Sequence, residues 1–248
     1  MASSEGGSGG LKGGLIAGVI GLVIGGGAVA LWAQGNGGVG DRAEIEKVVH
    51  AYLLEHPEVL PEAMERLQER EAGQAVAANR AAYETPFAGA WAGAKDADVT
   101  LVEFFDYSCG YCRRSNADVA RLLAEDKKLK VVWREWPVLG PDSEKAAQVS
   151  LAAAKAGKFH PYFERLYGLG RPTDRSIEQA ARDVGVTAQM VQQLVSSGEA
   201  RAELGKNYQL AQAVRGNGTP VFVVGDKVLH GAVGYDALKK AIADARRS

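Results

Sequence analysis

The chain has 248 residues, a 46% hydrophobic and 24% charged composition, and a formal net charge of −1. Such a chain buries an ordinary core, and with no long basic run it offers no electrostatic footprint for nucleic acid. It also lacks a Walker-type phosphate loop, and its 2 cysteines are too few for a disulfide-stapled scaffold.

The first element follows a Gly/Ser-rich tail (1–12). "GGLIAGVIGLVIGGGAVALWA", Gly13 to Ala33, is 21 residues without a charge, and about 20 helical residues cross a bilayer. The run exceeds the roughly 7–15 apolar residues of a cleaved signal. A retained membrane anchor over 13–33 is therefore the preferred reading. Cleavage near the small residues Ala28 and Ala30 is the alternative. Either way the bulk of the chain is exported, and Lys12 favours an N-in, C-out orientation.

Residues 34–85 read as a linker, "QGNGGVGD", and a helical arm. Ile45, Val48, Val49, Tyr52 and Leu53 recur at helical spacing, and Val59, Leu60, Ala63, Met64 and Leu67 form a second stripe. Pro57 is expected in the first turn of the second helix. From Gln68 to Tyr83 the pattern turns Ala-rich and polar, with little to bury. The stripe can pack within its own chain or on a second copy, so a homo-oligomer through 41–83 is one expectation.

The main domain is expected over 86–248. "DVTLVEFF" (98–105) reads as a strand carrying one acid, Glu103. A helix follows over Cys109–Asp126, then a strand in "KLKVVWREWP" (128–137). Strand, helix, strand suggests a parallel βαβ unit. Helices are expected over Ser143–Ala156, with Asp142 or Ser143 as N-cap, and over His160–Gly168, Asp174–Val184, Thr187–Ser196 and Glu199–Val214. They form a helical insertion at about 140–216. Two short strands, Val221–Gly225 and Lys227–Gly231, and a helix over Tyr235–Arg246 close the chain. The sum is an α/β fold: a small mixed sheet with flanking helices.

Both cysteines fall in "SCGYC", Cys109 and Cys112. As a structural disulfide this pair would close a loop worth only about 2 kcal/mol. Zinc wants four ligands, and no second pair or histidine spacing supplies them; two thiolates alone could hold copper(I). Reversible thiol exchange fits the placement better. A cysteine at the positive end of a helix favours its thiolate, and one a turn later can resolve a mixed disulfide. Arg113 and Arg114 add positive charge nearby or are simply solvated. Glu103 is either an outward-facing carboxylate or a buried proton acceptor for the thiols. In "GNGTPVFVV", Pro220 precedes a strand, and the base preference for its peptide bond is trans.

"EFFDYSCGYCRR", "WREWPVLGPDSEKAAQVSLAA" and "GTPVFVVGDKVLHG" together resemble the DsbA family of thioredoxin-fold disulfide oxidoreductases, from about Asp98 to Ile242. "IEKVVHAYLLEHPEVLPEAMERLQ" is similar to the N-terminal segment of the suppressor-of-copper-sensitivity C branch, where it can drive oligomerisation. The resemblance implies a thioredoxin-like fold, Cys109 as exposed nucleophile and Cys112 as buried resolving cysteine. It also implies a cis-proline loop at Thr219-Pro220 facing them and Glu103 as the acid beneath. Gly110-Tyr111 departs from the Pro-His of the strongly oxidising archetype and resembles periplasmic disulfide isomerases. The expected activity is forming or isomerising disulfides in exported proteins at the periplasmic side of the inner membrane. No organic cofactor is implied; the partners would be cysteine-containing substrate proteins and a membrane or periplasmic redox partner. Copper(I) binding by the same pair is the alternative.

Overall fold

A computed structural model describes residues 42–247. The anchor expected over 13–33 and the linker up to residue 41 lie outside the described residues. Among the described residues no helix is long and apolar enough to cross a membrane.

The chain falls into two compact units, one ending at Ala63 and one beginning at Met64. In the first, helix α1 (Arg42–Glu55) buries no residue. Its Ile45, Val48, Val49, Tyr52 and Leu54 are exposed. Helix α2 (Val59–Ala78) begins after a turn in which Val59 N–H donates to His56 O. Pro57 lies in that turn rather than in the helix. Pro61 takes the first-turn position, where the missing N–H has no helical acceptor to lose.

The larger unit is built on a five-stranded sheet in the order β1 (Trp91–Gly93), β3 (Leu129–Glu135), β2 (Val99–Phe105), β4 (Val221–Val224), β5 (Lys227–His230). β2 and β3 run parallel, and every other pairing is antiparallel. The parallel crossover is helix α4 (Gly110–Glu125), as the strand–helix–strand order predicts. β2 and β3 read as near-continuous apolar runs because both of their faces are covered. On one face Leu101, Phe105, Val131 and Trp133 pack with Val119 and Leu122 of α4 and with Leu238 and Ile242 of α10 (Tyr235–Ala245). That core also takes in α5 (Pro141–Lys155), α6 (Phe159–Leu169), α7 (Asp174–Asp183) and α8 (Ala188–Ser196). On the other face Val102, Phe104 and Val132 meet Ala72 and Val76 of α2, Tyr83 of α3 (Arg80–Glu84) and Ala211 of α9 (Glu199–Ala213).

The stretch Gln68–Tyr83 therefore has more to bury than its composition suggests. Gly73 allows a close approach there. A Cβ on Gly73 would come within 2.9 Å of Asp226 O in the β4–β5 turn. β1 is absent from the expected elements: three residues, "WAG", carry no strand pattern, and pairing with Val131 and Val132 creates it. Helix α5 starts at Pro141 with Gly140 as N-cap, not Asp142 or Ser143. Proline at the first helical position is preorganised, and the Ser143 hydroxyl is engaged elsewhere, on Asp106 at 2.7 Å.

Arg134 departs most from its residue type. It lies on β3 with its side chain 1% exposed, under α3 and α9. It donates to Tyr83 O (2.9 Å), Thr85 O (2.7 Å), Ala82 O, Glu203 Oε1 (3.1 Å) and Asn207 Oδ1 (2.9 Å). Removing one side of such a pair strands the other charge and several carbonyls. Arg134→Met is expected to lower unfolding stability by about 3–5 kcal/mol, read by urea denaturation of the full chain. A loss under about 1 kcal/mol would mean that the interior accommodates the orphaned acceptors.

Candidate active site at the β2–α4 junction

β2 ends at Phe105 and the chain turns through Asp106, Tyr107 and Ser108. Ser108 N–H donates to Asp106 Oδ1 at 2.7 Å and Cys109 N–H to Asp106 O at 3.0 Å. An Asx-type contact inside a tight turn is what aspartate at this position favours. The turn delivers Cys109 to the N-cap of α4, with φ −78 and ψ 116, and its sulfur accepts from Cys112 N–H at 3.4 Å. The sulfur thus occupies the site of a capping oxygen, at the positive end of the helix.

Both cysteines are free and both are buried. Cys109, at 6% exposure, is not the exposed nucleophile that the resemblance implies, because the Thr219-Pro220 loop lies against its sulfur. The two sulfurs are pushed in opposite directions. Cys109 is lowered to about 5. The hydrogen bond from the Cys112 thiol is the largest cause; Thr219 and the N–H groups of Cys112 and Tyr111 add to it, and burial opposes them. Cys112 is fully buried and raised far above the ordinary thiol range, first by desolvation, then by its bond to Cys109 and by the charge of Glu103.

Thr219 and Pro220 approach from the loop before β4. Their peptide bond is cis, as the resemblance implies and against the base preference. The Cys109 sulfur lies 3.2 Å from Thr219 O.

Glu103 sits in the middle of β2, fully buried, so the outward-facing reading is excluded by the two covered faces of its strand. Its Oε2 accepts from Trp133 Nε1 at 3.0 Å, and Oε1 has no partner among the described residues. Burial raises it to about 8; the Trp133 bond opposes this and the negative charge of Cys109 adds to it. Trp133 was not among the expected site residues, although parallel pairing sets it opposite Glu103.

Of the two readings for the arginines, the solvated one fits Arg114, which is exposed, and neither fits Arg113. Arg113 donates to Tyr167 O and, at 2.6 Å, to Gly170 O, closing the C-terminal end of α6. Arg114 lies over the ring of Tyr111, 4.2 Å from its centroid. Neither is among the causes of the Cys109 shift. Tyr111 is 58% exposed, and a Cβ on Gly110 would meet nothing within 4 Å, so the dipeptide between the cysteines faces open space.

Fold and site together define a thioredoxin-like protein carrying an asymmetric dithiol at a helix N-terminus. The chain belongs to the DSBA-like thioredoxin domain family of thiol–disulfide oxidoreductases, whose model it matches over residues 100–243. Residues 41–74 match the copper resistance protein ScsC N-terminal domain. A thioredoxin-like oxidoreductase from Silicibacter pomeroyi is 37% identical with a TM-score of 0.65, covering 68% of this chain and 98% of that one. A linker-deleted variant of Proteus mirabilis ScsC is 27% identical with a TM-score of 0.66, over 84% of this chain and 95% of its own. A periplasmic thioredoxin-like protein from Salmonella enterica serovar Typhimurium is 28% identical with a TM-score of 0.61, over 68% and 96%. The chain spans about a quarter of the length of the curated relatives it matches: it covers 24% of a Na(+)/H(+) antiporter, NhaA 3, from Salinispora tropica, at 27% identity over 158 residues.

Proposed function

We propose that this chain catalyses thiol–disulfide exchange on exported, cysteine-containing proteins, forming or isomerising their disulfides with Cys109 and Cys112. The observation that carries the reading is the opposed pair of sulfurs: Cys109, 6% exposed and favoured as thiolate, and Cys112, fully buried and held as thiol. In the oxidative direction a substrate thiolate attacks Cys109 Sγ and displaces Cys112, whose sulfur takes up a proton. A second substrate thiolate then attacks its partner sulfur, the substrate gains a disulfide, and Cys109 leaves as thiolate. Glu103, raised to about 8, holds a proton at neutral pH and is assigned as the group that exchanges it with Cys112. Thr219 and Pro220 line the nucleophile and are assigned to receive the substrate backbone.

A copper(I) site would need both sulfurs as thiolates. The burial of Cys112 works against that state and favours exchange over metal holding. Likeness to a periplasmic Salmonella protein supports a periplasmic setting, with a membrane or periplasmic redox partner to reset the dithiol. The domain division is read as an arm over 34–85 and a catalytic domain over 86–248 with its insertion at about 140–216. The exposed stripe Ile45, Val48, Val49 and Tyr52 of α1 is assigned to contact between copies.

The test is activity of the reduced full chain on a scrambled disulfide protein beside its mass in solution. Exchange activity is expected, together with a mass above one chain that falls to one chain when Val48→Asp and Tyr52→Asp are combined. Absence of any exchange would sink the reading; a mass that the arm variant leaves unchanged would sink only the oligomer.

A further inference from the structure

The loop that carries Thr219 and Pro220 starts at the C-terminal end of α9, and it starts on an unfavourable residue. Arg215 N–H donates to Gln212 O at 2.9 Å and Gly216 N–H to Ala211 O at 2.8 Å. This pair of bonds closes the helix as a Schellman turn, whose left-handed position is usually a glycine. Arg215 occupies it here, with φ 57. A side chain costs strain in that conformation, and glycine does not. The helix end alone gives no reason for an arginine. The guanidinium does: Arg215 Nη2 donates to Glu71 Oε2 on α2.

Glu71 makes the first of several contacts that α2 and α3 offer the same segment. Ala72 and Val76 share a core cluster with Val214, which precedes the loop, and with Val221 and Val223 of β4, which follow it. At the far end of β4, Gly73 lies against Asp226 O, and Arg80 pairs with the Asp226 carboxylate. The loop is fixed from two other sides as well. A Cβ on Gly216 would come within 2.9 Å of the Trp136 ring, and Gly231 N–H donates to Pro220 O at 2.8 Å. Entry, strand and tip are thus fastened to one pair of helices. Between the fastened points lies Thr219, whose carbonyl is 3.2 Å from Cys109 Sγ, and Cys109 is left 6% exposed.

We propose that Glu71 and Arg215 are positioning residues: their ion pair clamps the entry of the Thr219-Pro220 loop to α2 and keeps the loop closed over Cys109. Neither residue touches a sulfur; both act through the short stretch from Arg215 to Thr219. The side chains of the pair are 55% and 43% exposed, so it has the modest strength of a surface ion pair and biases the loop without locking it. A substrate can then open what the free protein keeps shut. The proposal rests on the thiol-exchange reading above. It deepens that reading by assigning access to the nucleophile to a helix that carries none of the reacting groups.

The test is the rate at which iodoacetamide alkylates Cys109 in the reduced full chain near neutral pH. Cys109, lowered to about 5, is a thiolate throughout, so the rate reports access and not ionisation. Cys112 is fully buried, and peptide masses identify which sulfur is labelled. Glu71→Ala and Arg215→Gly should each raise the rate about three- to fivefold, the upper range for an exposed pair. Arg215→Gly suits the left-handed turn, so the helix end survives it. The two changes combined should go no further than either alone, because both remove one contact. Exchanging the partners, Glu71→Arg with Arg215→Glu, should return the rate to within about 1.5-fold of the unaltered protein. A role confined to stability would lower the melting temperature and leave the alkylation rate of the folded protein unchanged. An unchanged rate in both single variants overturns the proposal, as does a swapped pair that folds without restoring it. If the swapped pair does not fold, additive effects of the two single changes overturn it instead. Failure of the unaltered protein to exchange thiols even with glutathione would overturn the exchange reading and leave the alkylation result standing.

Discussion

Replacing Cys109 by serine is expected to lower exchange at least about a thousandfold, to the uncatalysed background. The other sulfur cannot substitute for it. Cys112 is fully buried, so no substrate disulfide reaches it, and desolvation keeps it a thiol while exchange needs a thiolate. Cys112→Ser should behave differently. Cys109 still attacks, but nothing displaces the substrate, so a one-to-one mixed disulfide at Cys109 accumulates and is visible by mass spectrometry under non-reducing conditions. Exchange surviving in Cys109→Ser, or trapping on the wrong sulfur, would refute the assignment of roles.

The second large effect concerns the pH dependence of the reduction potential. Reduction of the disulfide takes up two electrons. Below pH 5 it also takes up two protons; above it, Cys109 stays a thiolate and only Cys112 binds one. The midpoint should therefore fall by about 59 mV per pH unit below pH 5 and by about 30 mV above it. Glu103 adds a second feature near pH 8. The thiolate, the smallest of its causes, raises it only in the reduced state, so reduction takes up a fraction of a proton there, and Glu103→Gln should remove that feature. A single slope of about 59 mV per unit through pH 5 would mean the thiolate is not stabilised.

The same two groups set stability in opposite senses. Cys109, lowered from 9.0 to about 5, stabilises the reduced fold fully above its unfolded value, and this is lost as pH falls through 5. Glu103 keeps a proton that the unfolded chain releases between its ordinary 4.5 and about 8, so its effect is a loss of stability as pH rises through that window. In the reduced protein the two offset each other from about pH 5 to 8. The oxidised protein has only the Glu103 contribution, so reduced and oxidised melting temperatures should diverge as pH rises above 5.

Much of this arrangement is legible in the chain itself. "DVTLVEFF" followed by a cysteine pair and an amphipathic helix defines the strand, the N-cap and the parallel crossover, because apolar periodicity and helix-end chemistry are local. Cys109, Cys112 and the Thr219-Pro220 loop, 110 residues apart, come together as the resemblance implies. What local pattern cannot carry is pairing. Trp91–Gly93 becomes a strand only because β3 offers it an edge. Arg134 reads as a solvated charge until α3 and α9 close over it. Arg113 reads as a charge near the thiols or a solvated one, and the end of α6 claims it. Ser143 reads as a helix cap, and Asp106 takes its hydroxyl. For the three polar side chains the outcome is set by which partner the tertiary fold brings nearer.

The burial of Cys112 has a consequence for timing. A mixed disulfide at Cys109 lasts until something breaks it, and the two competitors are Cys112 and another thiol on the substrate. Cys112 has to shed its proton inside the protein before it can act, so the covalent complex gains a lifetime. If the substrate is a loose chain with a thiol within reach, it rearranges during that interval and leaves with a different disulfide. If it is not, Cys112 ends the encounter. On the exchange reading proposed above, branching between making and correcting disulfides would be a race whose clock is the solvation of one sulfur, and a faster or slower clock would shift the product without touching the nucleophile.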